Sequence, residues 1–254
     1  KEEVAPELPE RVETLLPVPL GRKQRQIYDR HLTRERARLL HLELENDTRE
    51  RFEVLAALTR LRQLSLDPAL VDQRYDSVGS AKIDLLCEHL EQILPLGHKV
   101  LVFSQFVAFL ERIRHSLDQR GIRSLLLEGK TRNRHAVIDE FQHGDVQVFL
   151  ISLKAGGVGL TLTQADYVYM MDPWWNPSVE AQAVNRAHRI GQDRRVNVYR
   201  LVAQDTIEEK VCQLQAHKQL LVDSVVGQNL GEGRSSTDIQ QLLKLIQEDQ
   251  DERV

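Results

Sequence analysis

Short apolar runs alternate with amphipathic segments from residue 80 onward. Five runs of four to seven residues have the composition of buried strands: Val100–Phe103, Ser124–Leu127, Val146–Ile151, Tyr167–Met171 and Val196–Val202. Helical segments separate them: Ser80–Ile93, Phe106–Arg120, Arg132–Phe141 and Ser178–His188. Continuous apolar strands interleaved with helices predict an α/β fold, in which a parallel sheet carries helices on both faces.

The amino-terminal part follows a different pattern. Prolines at positions 6, 9, 17 and 19 predict an extended segment over residues 1–20. From Arg22 to about Leu64, apolar residues recur at helical spacing between many basic residues. This pattern predicts a long helical hairpin, which Asp67-Pro68 ends.

The carboxyl-terminal part is predicted to be helical again from Thr206 to about Val226, with a last short helix over Thr237–Gln247. The whole pattern divides the chain into an entry segment, a helical arm with a linker, an α/β lobe, and a final helix with an acidic tail. Their predicted ranges are 1–20, 21–78, 79–204 and 205–254.

Composition is typical of soluble globular proteins, at 41% hydrophobic and 28% charged residues. The net charge of −4 argues against a uniformly basic nucleic-acid binder, so DNA contact would need a local basic surface. No apolar run is long enough to cross a bilayer, and Lys1-Glu2-Glu3 does not begin a signal peptide. Cys87 and Cys212 lack metal-ligand spacing, which predicts buried thiols in a reducing compartment.

Polar groups follow the first two predicted strands of the α/β part, where ligands of open parallel sheets bind. Ser104 and Gln105 could donate to a phosphate, or Ser104 could simply cap a helix. A Gly-Lys-Thr run contains Lys130 and Thr131, but Ser124 stands where a P-loop needs a glycine. This run therefore either holds one nucleic-acid phosphate or forms a solvated turn.

The next two strand-end loops differ in kind. One contains Ser152, Lys154 and three glycines within residues 156–159, which let the backbone approach a ligand, although such runs are often only tight turns. The other, Asp172–Pro177, contains both tryptophans of the chain and ends in Asn-Pro, which is typical of a helix start. One tryptophan is expected to face a partner.

The helix after this turn carries Gln182, Arg186 and Arg189, positions that share one face of an α-helix. Two guanidiniums on one face suit the charge that develops on a transferring phosphoryl group. Arginine stays charged and binds oxyanions in a planar fork. Alone, the pair would be a solvated face; the neighbouring loops favour phosphate chemistry.

Three stretches together resemble a known family. The glycine run 156–160, the turn Asp172–Pro177 and the run Gln182–Gln192 closely resemble the carboxyl-terminal motor lobe of Swi/Snf-type ATPases, which are superfamily-two DNA translocases. Val100–Phe106 resembles motif IV of that family, Ile151–Leu162 motif V, and Gln182–Gln192 motif VI. The resemblance implies a RecA-like fold of the P-loop NTPase type, with a helical protrusion on the amino-terminal side and a carboxyl-terminal brace helix.

The resemblance also implies residue roles. Arg186 and Arg189 would be arginine fingers for ATP that is bound, with Mg²⁺, mainly by another lobe. Gln182 would couple that site to the DNA, and Gly157 and Gly159 would lie near the nucleotide. No residue is assigned to a metal. The residues implied to grip the backbone of duplex DNA are Ser104, Gln105, Lys130, Thr131, Ser152, Lys154 and Trp175.

The chain contains no Walker A loop and no acidic Asp-Glu-x-His box, both of which belong to the amino-terminal lobe in this family. We therefore predict that it is the carboxyl-terminal half of a longer enzyme, and that alone it hydrolyses no ATP and binds DNA weakly. Its expected partners are that RecA-like lobe, double-stranded DNA and a displaced DNA-bound protein, but no membrane. The lack of lysine-rich tails favours a bacterial host and the nucleoid; a eukaryotic host would imply the nucleus.

Two other functions are open. An RNA-directed superfamily-two helicase lobe would share most motifs, but such helicases usually carry arginine where Gln192 stands. A non-catalytic interaction module would have no need of the intact arginine pair. A dinucleotide-binding protein is disfavoured because no G-x-G-x-x-G opens a helix after the first strand.

Overall fold

The computed structural model describes residues 9–40, 48–155, 160–173, 177–213, 243–244 and 246–247. The chain divides into two units, one formed by Lys1–Val18 with Lys82–Val202 and the other by Pro19–Ala81 with Ala203–Val254. The helical arm and the carboxyl-terminal segment therefore belong to the same unit, although the sequence pattern lists them as separate parts. No helix in the described ranges is long and apolar enough to cross a membrane.

The helical unit contains α1 (Arg22–Leu39) and α2 (Thr48–Leu66), followed by 3-10 helices at Pro68–Leu70 and Gln73–Val78. The amide Nε2 of Gln24, near the start of α1, donates to the Leu64 carbonyl near the end of α2 at 3.1 Å. Farther along the pair, Arg60 binds Glu35. The two helices are therefore antiparallel, in the region where the sequence predicts a hairpin.

A tyrosine connects this arm to the carboxyl-terminal segment. The Tyr28 hydroxyl, buried in α1, accepts the Ile207 N–H at 2.7 Å. Ile207 begins a helical stretch whose described part covers residues 207–213. This long-range contact explains why the segment belongs to the same unit as the arm.

The other unit is built on a six-stranded sheet in the order β1-β6-β5-β2-β4-β3. Its strands are β1 (Arg11–Val18), β2 (Val100–Ser104), β3 (Ser124–Leu127), β4 (Val148–Ser152), β5 (Tyr167–Met170) and β6 (Val196–Ala203). Strands β2 to β6 pair in parallel. The neighbouring interior strands β2 and β4 are buried at every position, because the sheet is covered on both faces. The parallel α/β sheet predicted from the apolar runs is confirmed.

The helices of this unit are α3 (Ala81–Ile93), which leads into a 3-10 helix at Leu94–Leu96, α4 (Val107–Gln119), α5 (Arg134–His143) and α6 (Pro177–Val184). Phe141 of α5 and Val184 of α6 pack with Phe103 and Phe149 in the apolar core on one face of the sheet. The core members that lie on strands are alternate residues of each strand, as the pleat requires.

Candidate functional site

Both predicted finger residues lie in a tight turn that follows α6, residues 185–192, which we call the arginine turn. The Arg186 N–H donates to the Ala183 carbonyl at 3.2 Å, three residues back, and the Arg186 carbonyl accepts the Leu162 N–H at 2.9 Å. The three-residue step of the Arg186 N–H bond departs from the four-residue helical ladder, and α6 ends at Val184. The predicted helix to His188 is therefore wrong in its last turn.

This early stop changes the geometry of the triad expected on one helix face. Gln182 is exposed on α6, whereas Arg186 and Arg189 belong to the turn. The prediction that the three side chains share a helix face is wrong, because helical spacing holds only up to Val184.

The two arginines have contrasting environments. Arg186 is only 8% exposed, and its Nε has no hydrogen-bond partner within the described part of the chain. Burial holds the pKa of Arg186 below its usual value, although a guanidinium remains charged. Arg189 is exposed, and its Nη1 donates to the Thr161 hydroxyl at 3.3 Å. The exposed Arg189 can meet an anion that approaches from solvent, whereas the Nε of Arg186 is an unused donor inside the protein.

Gln192 holds the arginine turn in place. It is 5% exposed, and its Nε2 donates to the carbonyls of Ala165 at 2.8 Å and Ala187 at 3.2 Å. Its Oε1 accepts the Arg194 N–H at 2.9 Å. Gln192 is therefore a buried connector of backbone segments.

The segment 160–165 joins the arginine turn to α5. The Gln142 amide of α5 donates to the Thr161 carbonyl at 2.7 Å, and Leu162 binds the Arg186 carbonyl as described above. The segment thus connects the turn with the region that follows the glycine run. Gly157 and Gly159, the predicted nucleotide neighbours, lie outside the described residues.

Two serines lie side by side at the ends of the neighbouring strands β2 and β4. Ser104 of β2 and Ser152 of β4 are direct partners in the sheet register, and both are buried. The Ser104 hydroxyl accepts the Phe106 N–H at 3.1 Å, and the Ser152 hydroxyl accepts the Ala155 N–H at 3.2 Å. Each serine therefore shapes its own loop, but Ser104 does not cap α4, whose N-cap residue is Phe106 and whose first turn receives no side-chain cap bond. Phosphate binding by these serines stays a prediction.

Asp172 connects the ends of β2 and β5. Its carboxylate is 1% exposed and accepts the Gln105 N–H at 3.2 Å and the Gln105 side-chain amide at 2.5 Å. The amide nitrogen that was predicted to contact DNA is thus engaged within the protein. One feature of the sequence could have identified Asp172 as a site residue, because it is a carboxylate directly after a buried apolar strand.

Two lysines remain open to solvent at neighbouring strand ends. Lys130 after β3 and Lys154 after β4 are exposed, and neither forms an ion pair with a described residue. Thr131 closes the turn beside Lys130, because its hydroxyl accepts the Glu128 N–H at 3.0 Å. This turn precedes α5 instead of starting it, since Asn133 is the N-cap residue.

Two further predictions concern Trp175 and metal binding, and the structure describes only part of the residues involved. Trp175 lies outside the described residues. Within those that are described, no group of three or more His, Cys, Asp or Glu side chains could hold a metal ion.

Comparison with known proteins identifies the fold. Residues 81–191 match the family described as the helicase conserved C-terminal domain. Over 93% of this chain, the structure superposes on the C-terminal domain of the Sulfolobus solfataricus SWI2/SNF2 ATPase with a TM-score of 0.71 and 27% identity, covering 99% of that structure. The chain is a helicase C-terminal lobe of the Swi2/Snf2 type. The family resemblance and the RecA-like fold are confirmed.

The Swi2/Snf2-type lobe has further relatives. It superposes on the Sulfolobus solfataricus SWI2/SNF2 ATPase core in complex with dsDNA with a TM-score of 0.74 and 27% identity, over 94% of this chain and 50% of that one. An uncharacterized ATP-dependent helicase of Mycoplasma pneumoniae is 34% identical over 250 residues, which is 97% of this chain and 24% of that protein. The lobe thus spans about a quarter of the length of the first curated relatives that it matches.

The family match places the arginine turn in context. The match to the helicase conserved C-terminal domain ends at residue 191. It therefore includes both arginines and the segment 160–165 that contacts them. The lobe therefore belongs to a family of helicase-like ATPases. The finger role of the arginines stays a prediction.

Proposed function

We propose that this lobe is the second motor lobe of an ATP-dependent double-stranded DNA translocase that displaces proteins from DNA. In this proposal Arg186 and Arg189 supply arginine fingers to ATP that is held mainly by an amino-terminal RecA-like lobe. The observation that carries the proposal is the arginine turn, where a buried guanidinium with an unused Nε stands next to an exposed one.

The two arginines would act differently on the phosphates. Arg186 is largely desolvated, and a charge in a medium of low dielectric interacts more strongly with an anion than it does in water. Arg189 makes one long hydrogen bond to Thr161, which it can exchange for a phosphate oxygen. Bound Mg²⁺ would neutralise phosphate charge from the other lobe. Fingers of this kind contribute roughly 10³–10⁵ in hydrolysis rate.

Fixed backbone bonds would make the arginine turn an effective catalytic element. Gln192, Leu162 and Gln142 all bind the turn or the segment beside it. A preorganised cation loses little free energy to reorganisation when charge develops on the phosphoryl group. Gln182, exposed on α6, would couple this site to the DNA, and Gly157 and Gly159 would lie near the nucleotide.

The DNA side of the proposal rests on the strand-end loops. Lys130 and Lys154 follow the paired strands β3 and β4 and offer their charge to solvent. Phosphate contacts position a protein on DNA without reading its sequence, which suits a translocase. Ser104, Ser152 and Thr131 would fix the loops and add hydroxyl contacts at the backbone. Gln105 and Trp175 complete the proposed set, and the relative solved with dsDNA supports it.

The ATPase rate of the full-length protein tests this function. We expect duplex DNA to stimulate hydrolysis and structured RNA to stimulate it much less. The lobe alone should hydrolyse no ATP, because the fingers would have no bound nucleotide to act on. Stimulation by RNA but not by DNA, or DNA-stimulated hydrolysis by the lobe alone, would overturn the proposal.

A further inference from the structure

Helix α1 is strongly basic in a chain that is acidic overall. Arg22–Leu39 contains seven basic and two acidic residues, a net charge of +5, whereas the whole chain carries −4. Charge of this sign, concentrated on one element, is the local basic surface that DNA contact requires.

Both acidic residues of α1 already have cationic partners. Asp29 pairs with Arg25 at 3.5 Å, one turn away. Glu35 is buried and accepts two bonds from Arg60 of α2, at 2.8 Å and 3.1 Å. Four exposed cations are left without an ion pair to any described residue, and we call them the basic stripe: Arg22, Lys23, Arg30 and Arg34.

The stripe is placed against the local preference of a helix. The first turn of α1 contains Arg22 and Lys23 but no acidic residue, and Gly21 provides no side-chain cap. The amino terminus of a helix carries partial positive charge, which favours acidic residues there and disfavours cations. A local conflict of this kind is typical of a functional surface, because the fold itself gains nothing from it.

The field around the stripe is also evident at His31. Burial lowers the pKa of His31, and the neighbouring Arg34 and Arg30 lower it further, while Glu35 acts in the opposite direction. Arg30 and Arg34 of the stripe therefore lie close enough to His31 to oppose its protonation.

The spacing of the stripe suits a sugar–phosphate backbone. At 100° per residue, Arg22, Arg30 and Arg34 lie within an arc of about 120°, on the side of α1 opposite the buried Tyr28 and Glu35. From Arg22 to Arg34 the helix rises about 18 Å. Along one strand of B-DNA that length contains about five phosphates, at roughly 3.4 Å of axis each.

We propose that the basic stripe of α1 is a second phosphate-binding surface, which holds the backbone of duplex DNA in addition to the strand-end loops. This inference rests on the proposed function, because it takes duplex DNA as the ligand. The stripe would provide affinity without sequence preference and would keep the protein on DNA between steps of the motor.

Salt dependence of DNA binding by the full-length protein tests the stripe. The variant Arg22→Gln/Arg30→Gln/Arg34→Gln removes three charges, and the control Arg114→Gln/Arg120→Gln/Arg123→Gln removes three exposed arginines in and after α4. Each phosphate contact contributes about 0.9 to the magnitude of the slope of log K against log salt concentration. The slope of the stripe variant should therefore be smaller in magnitude by up to about 2.7. The control should keep the wild-type slope, and a triple Arg→Lys variant of the stripe should retain most of it.

The outcomes separate the two proposals. If the stripe variant keeps the wild-type DNA affinity and salt slope, the proposal that the basic stripe binds DNA is overturned, while the translocase proposal stays intact. The same conclusion holds if that variant instead loses binding to an acidic protein. Loss of slope in the control as well shows a nonspecific charge effect and also overturns it. If the wild-type protein itself neither binds duplex DNA nor is stimulated by it, both proposals fail together. Circular dichroism spectra of all variants establish that they are folded.

Discussion

Gln192 is expected to stabilise the lobe by holding the arginine turn, and Gln192→Leu tests this directly. Leucine has a similar volume but no polar atoms. The Ala165 carbonyl would lose its donor, the Ala187 carbonyl would keep only the Arg189 N–H, and the Arg194 N–H would lose its acceptor. Both carbonyl contacts are buried, so water does not readily replace them.

The expected cost follows from these three bonds. An unsatisfied buried polar group costs about 1–3 kcal/mol. The Arg194 bond is only part-buried, and that N–H can turn to water. One carbonyl without a donor, that of Ala165, and a weakened bond at Ala187, partly offset by the burial of leucine carbon atoms, give a loss of about 1–2 kcal/mol. For a protein of this size that corresponds to a fall in Tm of about 2–8 °C.

Thermal unfolding followed by circular dichroism measures the effect. The matched control is Gln182→Leu, the same change at an exposed position of α6, for which we expect less than about 0.5 kcal/mol. A Gln192→Glu variant should be destabilised too, because a carboxylate cannot donate to either carbonyl. If Gln192→Leu unfolds at the same temperature as Gln182→Leu, the turn does not depend on this side chain and the reasoning fails.

Two further predictions concern other contacts. Asp172→Asn should destabilise the lobe by about 1.5–3 kcal/mol. The asparagine oxygen can still accept the Gln105 backbone N–H, but the neutral amide cannot accept both charge-assisted bonds that the carboxylate accepts. An unchanged Tm would show that the contact with Gln105 contributes nothing to stability. His31 has a folded-state pKa lowered by burial and then by Arg34, so below 6.5 the unfolded chain binds the proton more readily and stability falls as the pH falls. The Tm of His31→Gln should therefore drop less than that of the wild type between pH 7.5 and pH 5.5, and parallel drops would refute this.

The sheet could be predicted from sequence because its strands are buried on both faces. The runs that form β2 and β4 contain no polar interruption before their final serines, and such runs are diagnostic when helices separate them. The hairpin of α1 and α2 was predictable for a similar reason, since its apolar residues recur at helical spacing and a proline ends it.

The end of α6 could not be predicted in the same way. Helical spacing continues through Arg186 and Arg189, and no glycine or proline interrupts it before Gly191. The chain leaves the helical ladder at Arg186, whose N–H bonds three residues back and whose carbonyl accepts the Leu162 N–H, 24 residues earlier in the chain. A tertiary contact of this range leaves no local signal in the sequence.

The candidate site shows the same division. Motif spacing predicts the arginine pair and the strand-end loops as site residues from residue type alone, and that prediction stays open. It did not reveal that Gln105 is held by Asp172, or that Ser104 and Ser152 shape their own loops. These contacts depend on the order of strands in the sheet, which brings together residues that are far apart in the chain.

The central claim is that the arginine turn acts on the transition state of ATP hydrolysis. Its most direct test is Arg189→Ala in the full-length protein, with kcat measured under saturating duplex DNA and ATP affinity measured separately. The matched control is Arg195→Ala, another exposed arginine, which pairs only at the surface with Glu10. We expect Arg189→Ala to lower kcat by about 10³–10⁵ while ATP affinity changes by less than about tenfold, and the control to keep both. A wild-type kcat in Arg189→Ala, or an equal loss of kcat and ATP affinity, would contradict the account.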